Sequence, residues 1–263
     1  VAMQQKCLGI ARENPYIGSM TANNEWLQAA LDTADPVSTR GKGGRPPGAA
    51  KHLMVPIRSL GPSHRERIAR HLFALDAEDR YLRFGYPASD EQIRRYVDQL
   101  DFDRDDIFGI YNRRLELIAM AHLAYTPLPE HANCAEFGVS VARCARGRGY
   151  GARLFDRAVM HARNAGVRMV FIHALTENTA MLRIASNAGA VVQRDGSESE
   201  AFLQLPPPNL DSRMTEMVEQ QYGEVDYQLK RQAQQFWAFL ASVRGMGDEV
   251  REGVRKALGS TDR

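Results

Sequence analysis

An α/β (α+β) fold with one mixed central sheet flanked by helices is predicted for residues 53–205. Short apolar strands alternate there with amphipathic helices, and a glycine-rich turn separates one strand from the helix that follows it. A purely helical pattern follows the triple proline that begins at Pro206. The predicted order, β-α-α-β-β-β-α-β-α-β-β, contains too few parallel βαβ units for a doubly wound dinucleotide-binding fold.

The composition is typical of a globular protein and argues against several functional classes. The 263 residues include 34 Lys+Arg and 32 Asp+Glu, a formal net charge of +2, which argues against a dedicated nucleic-acid-binding protein. No apolar run reaches the roughly 18 residues that span a bilayer, and the N-terminus lacks the apolar centre of a secretory signal. The three cysteines, Cys7, Cys134 and Cys144, have no metal-ligand spacing. We therefore predict a cytoplasmic protein with no membrane partner and no metal.

Residues 1–52 are predicted to be an N-terminal extension that ends in a flexible basic linker. Residues 36–52 are rich in Gly and Pro and contain basic residues without a compensating acid, namely Arg40, Lys42, Arg45 and Lys51. Such a segment has little apolar surface to bury, so a solvated linker is the first interpretation. A basic arm that contacts phosphate or acidic partners is the alternative.

The first two helices are predicted from capping signals. After a short strand at 53–60, Ser63 and Glu66 have the spacing of a capping box, in which hydroxyl and carboxylate each satisfy a free amide of the first turn. Ser89 and Gln92 repeat this spacing before the second helix. Both signals are followed by apolar residues at helical spacing. These are Ile68, Leu72 and Leu75 in the first helix, and Ile93, Tyr96, Val97 and Leu100 in the second.

Six further strands and two helices complete the predicted sheet domain. A polar turn at 112–114 joins two apolar runs into a hairpin over 106–125, and 135–142 alternates as the next strand. A helix follows the glycine-rich turn, and 167–175 is a continuous apolar run typical of a strand buried on both faces. A short helix at 178–189 precedes the last two strands.

Residues 206–263 are predicted to be a C-terminal helical segment. Apolar residues recur at steps of three, four and seven, with breaks expected near Gly223 and at 245–247. One interpretation is a helix that covers a face of its own domain. The other, indicated by the near-heptad spacing, is a self-association surface that would make a homodimer. The stripe comprises Met214, Val218, Val225, Leu229, Phe236, Leu240, Val243, Val250 and Val254.

The turn Arg146-Gly-Arg-Gly-Tyr-Gly151 is the segment most indicative of chemistry. Its alternate glycines let the backbone approach a ligand, and the start of the next helix leaves several amide N–H groups without partners. With the helix dipole, these amides form an anion site suited to a pyrophosphate. A single acid, Asp156, lies between residues 140 and 170 beside seven arginines. The arginines are Arg143, Arg146, Arg148, Arg153, Arg157, Arg163 and Arg168.

Two nucleotide-binding motifs and a purely structural turn compete with this interpretation. A P-loop would need a Lys followed by Ser or Thr after the glycines, and neither is present. A Rossmann fingerprint would need the spacing G-x-G-x-x-G and an acid at the end of the second strand, whereas the first acid here is Glu177. A tight turn without any ligand also favours glycine.

The turn and its surroundings resemble the GNAT superfamily of N-acetyltransferases. Arg146, Gly149 and Gly151 match the superfamily motif Arg/Gln-x-x-Gly-x-Gly/Ala. Residues 178–189 are similar to the second cofactor segment of the family, which begins with Asn178 and ends with a glycine before the next strand. Residues 135–137 and 79–84 look closest to the GNAT domain of Pat-type bacterial protein lysine acetyltransferases. The resemblance covers about residues 53–205.

This resemblance implies a fold in which two neighbouring parallel strands splay apart and admit the pantetheine arm of acetyl-CoA. Val139 and Val141 would pair with this arm through their backbone, and Asn178 would belong to the second cofactor segment. The turn amides would hold the pyrophosphate. The turn residues assigned to this role are Arg146, Gly147, Arg148, Gly149, Tyr150, Gly151 and Ala152.

The resemblance also implies that a neutral primary amine attacks the acetyl thioester directly, with Glu136 as the general base. A lysine amine has a pKa of about 10.4, so a base must remove its proton. His122, on the neighbouring strand, is an alternative base, and a solvated surface position is the competing interpretation for Glu136. A backbone N–H near Val139, turned inward by a bulge at Gly138, would stabilise the tetrahedral intermediate.

The sequence leaves the general acid for the leaving thiolate open. Many members of the superfamily have a tyrosine where this chain has Ala185, so Tyr150 and water remain as proton donors. Cys144 is interpreted as a passive small residue. The predicted function is acetyl-CoA-dependent transfer to a protein lysine or a small-molecule amine. The alternative is an acyl-CoA-binding module of the same fold that acts through its C-terminal helices in assembly or regulation.

Overall fold

The computed structural model describes residues 55–125 and 133–259, with side chains described as far as residue 238. These residues form a seven-stranded sheet in the order β1-β2-β3-β4-β5-β7-β6, in which β4 and β5 are parallel and all other neighbours are antiparallel. The strands are β1 (Arg58–Ser59), β2 (Asp106–Tyr111), β3 (Leu117–Tyr125), β4 (Cys134–Val141), β5 (Met169–Leu175), β6 (Val191–Asp195) and β7 (Glu198–Gln204). The helices are α1 (Arg65–Phe73), α2 (Ala77–Phe84), α3 (Asp90–Asp98), α4 (Tyr150–Asn164), α5 (Thr179–Asn187) and α6 (Leu210–Gly259). The predicted mixed sheet is confirmed, and the predicted extension at 1–52 lies outside the described residues.

Helices cover both faces of the sheet. On one face, α4 buries Leu154 and Phe155 against β3 and β4, where Phe155 meets Phe137 edge-on with ring centroids 4.9 Å apart. On the other face, α1 and α3 bury Ile68 and Ile93 over β2 and β3, while α2 packs over β4 and β5. Alternate residues of β4 therefore face two different helical layers.

The two predicted capping boxes have different outcomes. At the start of α3 the box is confirmed, because the Gln92 N–H donates to Ser89 Oγ (3.3 Å) and the Ser89 N–H donates to Gln92 Oε1 (2.8 Å). The box at Ser63 and Glu66 is wrong. A 3-10 turn over Pro62–His64 precedes α1, no side chain caps that helix, and Glu66 instead pairs with an arginine of α3.

Helix α2 is an addition to the predicted order, which has two helices before the hairpin instead of three. Asp76 caps it by accepting a hydrogen bond from the Asp79 N–H (2.8 Å), and the helix ends at Gly85, which has a φ of +78°. Both signals are visible in the sequence. The helix is only eight residues long, so it carries too short an apolar pattern to be recognised by periodicity.

Helix α6 runs without interruption from Leu210 to Gly259, so the predicted breaks at Gly223 and 245–247 are wrong. Gly223 lies where the helix crosses the chain next to β1, and a Cβ there would be 2.1 Å from the Ile57 carbonyl oxygen. Glycine is thus required for close approach. A domain boundary at residue 206 stays a prediction. Among the described residues, no helix is long and apolar enough to cross a membrane.

Candidate active site

Strands β4 and β5 separate soon after they begin. They pair only over residues 134–136 and 169–171, although β4 continues to Val141 and β5 to Leu175. The pairing of β4 with β3 is continuous over 135–141, so the gap opens on the β5 side, and the bulge predicted at Gly138 is not present in this stretch. We call the gap between residues 137–141 and 172–175 the cleft. It is the strand separation that the resemblance implies.

The backbone of β4 turns hydrogen-bonding groups toward the cleft. The Ala142 N–H donates to the Ile118 carbonyl (2.8 Å), which fixes the alternation of the antiparallel β3–β4 pair. The N–H and C=O groups of Phe137, Val139 and Val141 consequently point away from β3. An extended chain lying in the cleft would meet these groups as it would meet the edge of a sheet.

The glycine-rich turn at the end of the cleft presents amides to solvent. Gly147 and Gly149 both have a φ of +74°, which other residues rarely adopt, and no atom lies within 4 Å of a Cβ built on either. No side chain caps α4, and its Arg153 N–H donates to the Gly149 carbonyl (3.0 Å), which leaves the earlier amides without intrahelical acceptors. Gly151 allows close packing of α4 on Ile184 of α5, since a Cβ would lie 3.2 Å from the Ile184 Cδ1.

Two arginines tie this turn to α2. Arg146 forms an ion pair with the buried carboxylate of Asp79, and that hydrogen bond raises the pKa of Arg146 above its ordinary value. Arg143 lies 3.5 Å from Asp76, the capping residue of α2. The arginine of the superfamily motif thus holds the turn against a neighbouring helix, while the turn amides remain exposed.

Two of the seven arginines between residues 140 and 170 have partners away from the turn. Arg157 is buried on the opposite side of α4, 3.0 Å from Glu216 of α6. Arg163 donates twice to the Pro207 carbonyl, at 2.8 and 2.9 Å. Arg157 therefore contacts the C-terminal helix, Arg163 contacts the proline segment that precedes it, and both are directed away from the turn.

Glu136 lies where the cleft begins, in a cluster of three titratable groups. Its Oε1 is 3.2 Å from His173 Nδ1, and His173 Nε2 is 3.2 Å from Glu200 Oε1. Strand register places all three on the sheet face that α2 covers. Burial alone would lower the pKa of His173, but the hydrogen bonds to both carboxylates have a larger effect and raise it to about 9. The imidazole is therefore protonated at neutral pH. The Glu136 side chain is only 11% exposed, which excludes a solvated surface position.

His122, the alternative base, belongs to a buried network on the same face. The Arg83 guanidinium lies against Gly138 and donates to the Tyr96 hydroxyl (3.0 Å). The Tyr96 hydroxyl lies 2.8 Å from His122 Nδ1, and His122 Nε2 lies 3.1 Å from Asp105 Oδ2. Because both ring nitrogens are engaged and the side chain is buried, the geometry favours a structural role for His122.

The remaining predicted residues lie around the cleft and the turn. The Asn178 Oδ1 caps α5 by accepting from the Met181 N–H (3.2 Å), and its amide donates to the Leu82 carbonyl of α2 (3.5 Å). Ala185 is fully buried in α5, and Cys144 is exposed. Tyr150 and Ala152 are half-buried in the first turn of α4, and Arg148 is exposed on the turn.

Sequence reasoning missed His173 and Glu200. Both were read as parts of strands, and a single histidine in an apolar run gives no functional signal of its own. The signal that could have found them is the pairing of β5 with β7, which places His173 opposite Glu200. That pairing depends on a crossover through α5, which local patterns do not reveal.

Comparison with known proteins identifies the family. The model of the acetyltransferase (GNAT) domain matches residues 55–191, which is just over half of the chain. The chain belongs to the GNAT family. It is accordingly an acyltransferase, and the family uses acetyl-CoA. No match was found among curated proteins.

Among solved structures, one GNAT domain is similar to this chain in fold, and two further acyltransferase structures match it with lower scores. The GNAT domain of S. lividans PAT has 23% sequence identity and a TM-score of 0.50, with 57% of this chain and 89% of that one covered. A spermidine N-acetyltransferase from Vibrio cholerae, solved in complex with CoA and spermine, has 16% identity and a TM-score of 0.45, with 56% and 94% covered. A cAMP-binding acyltransferase from Mycobacterium smegmatis has 22% identity and a TM-score of 0.42, with 65% and 51% covered.

The GNAT site of this chain fits acetyl-CoA in two respects. The cleft offers backbone donors and acceptors to an extended amide-containing arm, and the turn offers open amides at a helix start to a diphosphate. Over residues 55–125 and 133–238, no group of three or more His, Cys, Asp or Glu side chains could hold a metal ion.

Proposed function

We propose that this GNAT protein transfers the acetyl group of acetyl-CoA to a primary amine, with Glu136 as the general base. The observation that carries the proposal is the position of Glu136. It is a nearly buried carboxylate at the point where β4 and β5 separate, hydrogen-bonded to a protonated histidine and next to backbone groups that point into the cleft. A base in this place can reach an amine that approaches along the face covered by α2.

The cofactor-binding residues that we propose act mainly through their backbone. Val139 and Val141 would hydrogen-bond the pantetheine arm, and the amides of residues 147–152 would bind the pyrophosphate. Arg146 and Asn178 support this arrangement by fixing the turn and α5 against α2, because Arg146 pairs with Asp79 and Asn178 bonds the Leu82 carbonyl.

The chemistry follows from the charges at the cleft. Acetyl-CoA, when bound, supplies an acetyl thioester. Glu136 accepts a proton from the nitrogen of the incoming amine, and the Val139 N–H, which points toward the cleft, donates to the developing oxyanion. Ala185 has no hydroxyl to protonate a thiolate, so Tyr150 and water remain the candidate donors.

The proposed acceptor is a protein lysine or a small-molecule amine. A primary amine suits a carboxylate base such as Glu136, because it arrives as a cation and must lose a proton before it attacks. The Vibrio cholerae structure contains spermine, which belongs to the same chemical class. A cytoplasmic location and a bacterial source remain predictions from the sequence.

Glu136→Gln tests the catalytic assignment. We expect kcat/KM for acetyl transfer to fall by about 100-fold or more, since a positioned general base contributes on the order of 10²–10⁴. The measurement is thiol release from acetyl-CoA with a lysine-rich protein and a panel of amines, together with calorimetry of CoA binding. The exposed Glu198, on the same face of β7, provides the matched control Glu198→Gln. Equal rates for wild type and Glu136→Gln would contradict the role of Glu136 as general base. Absence of CoA binding by the wild type would contradict the proposed function as a whole.

A second role, self-assembly through α6, is favoured by the apolar surface of that helix. Helix α6 docks on the domain through one buried aromatic ring and several polar or small residues. Tyr227 packs in the core, with its ring centroid 5.1 Å from that of Tyr111. The Lys230 Nζ donates to the Tyr111 carbonyl (2.9 Å), Glu224 pairs with Arg58 (2.8 Å), and Gly223 lies against β1. The other large apolar side chains described in α6 face solvent and are 41–75% exposed. These are Leu210, Met214, Met217, Val218, Tyr222, Val225, Leu229, Phe236 and Trp237.

We infer that this stripe pairs with α6 of a second copy of the chain. Val218, Tyr222, Val225, Leu229 and Phe236 follow the four-three spacing of a coiled-coil seam. Gln221, Gln228 and Gln235 flank one side of the seam and are neutral, whereas the acids Glu219 and Asp226 flank the other side. In a parallel pair each side of the seam faces the opposite side of the partner helix, so the acids would not be brought together. From Met214 to Trp237 the stripe extends about 35 Å.

Sedimentation equilibrium tests this pairing. We expect the wild type to be a dimer and the double variant Leu229→Glu, Phe236→Glu to be a monomer with an unchanged far-UV circular dichroism spectrum, because two buried charges would oppose the seam. Arg231→Glu changes the charge of the same helix at an exposed site outside the stripe and should remain dimeric. A wild type that stays monomeric well above micromolar concentration would contradict the pairing.

A further inference from the structure

We propose that His173, held by Glu200, is the positioning residue that keeps the Glu136 carboxylate ionised and fixed at the start of the cleft. This inference rests on the proposed function of Glu136. It adds two residues, on β5 and β7, that would act on the reaction through Glu136 without touching the acceptor.

The placement of His173 follows from the sheet. Glu136 is the last residue of β4 that pairs with β5, and its partner there is Phe171. His173 is two residues further along β5, on the same face and in the wall of the cleft. Its Nδ1 reaches back 3.2 Å to Glu136 Oε1, across the point where the strands separate.

Glu200 fixes the other side of the imidazole. It lies opposite His173 in the antiparallel β5–β7 register, with its Oε1 3.2 Å from His173 Nε2. Each ring nitrogen thus donates to one carboxylate, which fixes both the protonation state and the rotation of the ring. Just below, Phe171 and Phe202 stack edge-on with centroids 5.3 Å apart and support the same pair of strands.

The other titratable and charged groups on this face come from α2, α3, β3 and β7. The β3 group is His122, which lies opposite Gly138 and 2.8 Å from the Tyr96 hydroxyl. The Arg83 guanidinium of α2 lies against Gly138, the next residue on the Glu136 face of β4, and bonds to Tyr96 of α3. Glu198 is the next carboxylate on the same face of β7. His173 is the group in the cluster that bonds both Glu136 and Glu200 and carries a proton that can titrate.

The expected consequence is a defined pH dependence. A cation beside a carboxylate favours its ionised form, so removal of the imidazolium should let Glu136 take up a proton at higher pH. The acid limb of kcat/KM should then move upward. A shift of one pH unit corresponds to about a tenfold loss of activity on that limb. Glu200→Gln should shift the acid limb in the same direction by a smaller amount, since it removes one of the two carboxylates that stabilise the charged imidazole but leaves the imidazole in place.

The experiment combines NMR titration of the His173 ring with pH profiles of kcat/KM. In the wild type we expect His173 to titrate near a pKa of about 9, and to titrate at lower pH in Glu200→Gln. The acid limb of kcat/KM should move to higher pH in His173→Asn and in His173→Gln. Both substitutions keep a hydrogen-bond donor and remove the charge. KM for acetyl-CoA should be nearly unchanged. Glu198→Gln should leave both the titration and the profile as in the wild type.

Two results would overturn the inference. One is an unchanged His173 titration in Glu200→Gln. The other is a loss of activity in His173→Asn that is equal at every pH, because a structural defect would have that form. Failure of the proposed function is distinguishable, since it would appear as full activity in Glu136→Gln, whereas the NMR titration of His173 does not depend on turnover.

Discussion

Helices α4 and α6 both carry apolar residues at helical spacing, but the apolar face of α4 is directed toward the core and that of α6 toward solvent. Helix α4 buries its apolar face, with Leu154 and Phe155 almost fully excluded from solvent. Helix α6 directs its apolar face outward, where Leu229 is 61% and Phe236 58% exposed. The difference shows that an apolar stripe identifies a surface that needs a partner without identifying which one. For α4 the partner is the sheet, and for α6 we propose another copy of the chain.

The contact between the two helices explains how α6 docks without its apolar face. His161 of α4 lies between Asp106 of β2 (2.9 Å) and Glu216 of α6, and Asn164 donates to Glu216 (2.6 Å). Burial lowers the pKa of His161, but these two carboxylates raise it above its ordinary value. Directional polar contacts of this kind fix the position of α6 while its apolar residues remain available for assembly.

The largest difference between the two helices should appear in the free energy of unfolding when one leucine of each is truncated to alanine. Leu154→Ala removes a fully buried side chain, and we expect it to lower the free energy of unfolding by about 2–5 kcal/mol. Leu229→Ala removes a side chain that is mostly exposed in the monomer, and we expect a change within about 0.5 kcal/mol at high dilution. Urea denaturation of both variants measures the difference.

Protein concentration provides the control for this pair. If α6 assembles as proposed, the effect of Leu229→Ala should grow with concentration, because it weakens the dimer that stabilises the fold, whereas the effect of Leu154→Ala should not depend on concentration in this way. A large loss in Leu229→Ala at high dilution would mean that its side chain packs within the monomer.

Most of the fold was accessible from the sequence because it depends on local signals. The hairpin at 106–125, the helix after the glycine-rich turn and the capping box at Ser89 were all predicted from spacing of a few residues. The errors occur where long-range contacts decide. Gly223 resembles a helix break in isolation, yet it is required by the backbone of Ile57, which is 166 positions away in the chain.

The residues of the candidate site can likewise be divided into those predicted by local motifs and those that depend on long-range contacts. The positions of Glu136 and of the glycines follow from a motif within one strand, turn and helix. The partners that set their behaviour come from distant segments: Asp79 for Arg146, and His173 with Glu200 for Glu136. Neither pairing leaves a pattern in the sequence, because each depends on which strands and helices become neighbours in the folded sheet.

A smaller effect is expected from Gly223→Ala, which tests how closely α6 approaches the domain. Alanine is favoured over glycine in a helix by about 1 kcal/mol, so the substitution would stabilise a helix that had no contact at this position. In the structure the new Cβ would lie 2.1 Å from the Ile57 carbonyl oxygen, so the helix or the chain next to β1 must move. We expect the clash to exceed the gain and to lower the free energy of unfolding by about 1–3 kcal/mol.

The sign of this change distinguishes the two physical causes. Urea denaturation gives the sign, and hydrogen exchange should show faster exchange in the first half of α6, where the helix loses its contacts with β1 and α4. The same substitution in an isolated peptide of residues 210–238 should increase its helicity, since only propensity acts there. A more stable intact protein would mean that α6 does not dock at Gly223. The face of α6 that contains Gly223 would then be as exposed to solvent as its apolar face. In that case α6 would differ from α4 by not packing on the domain at this position.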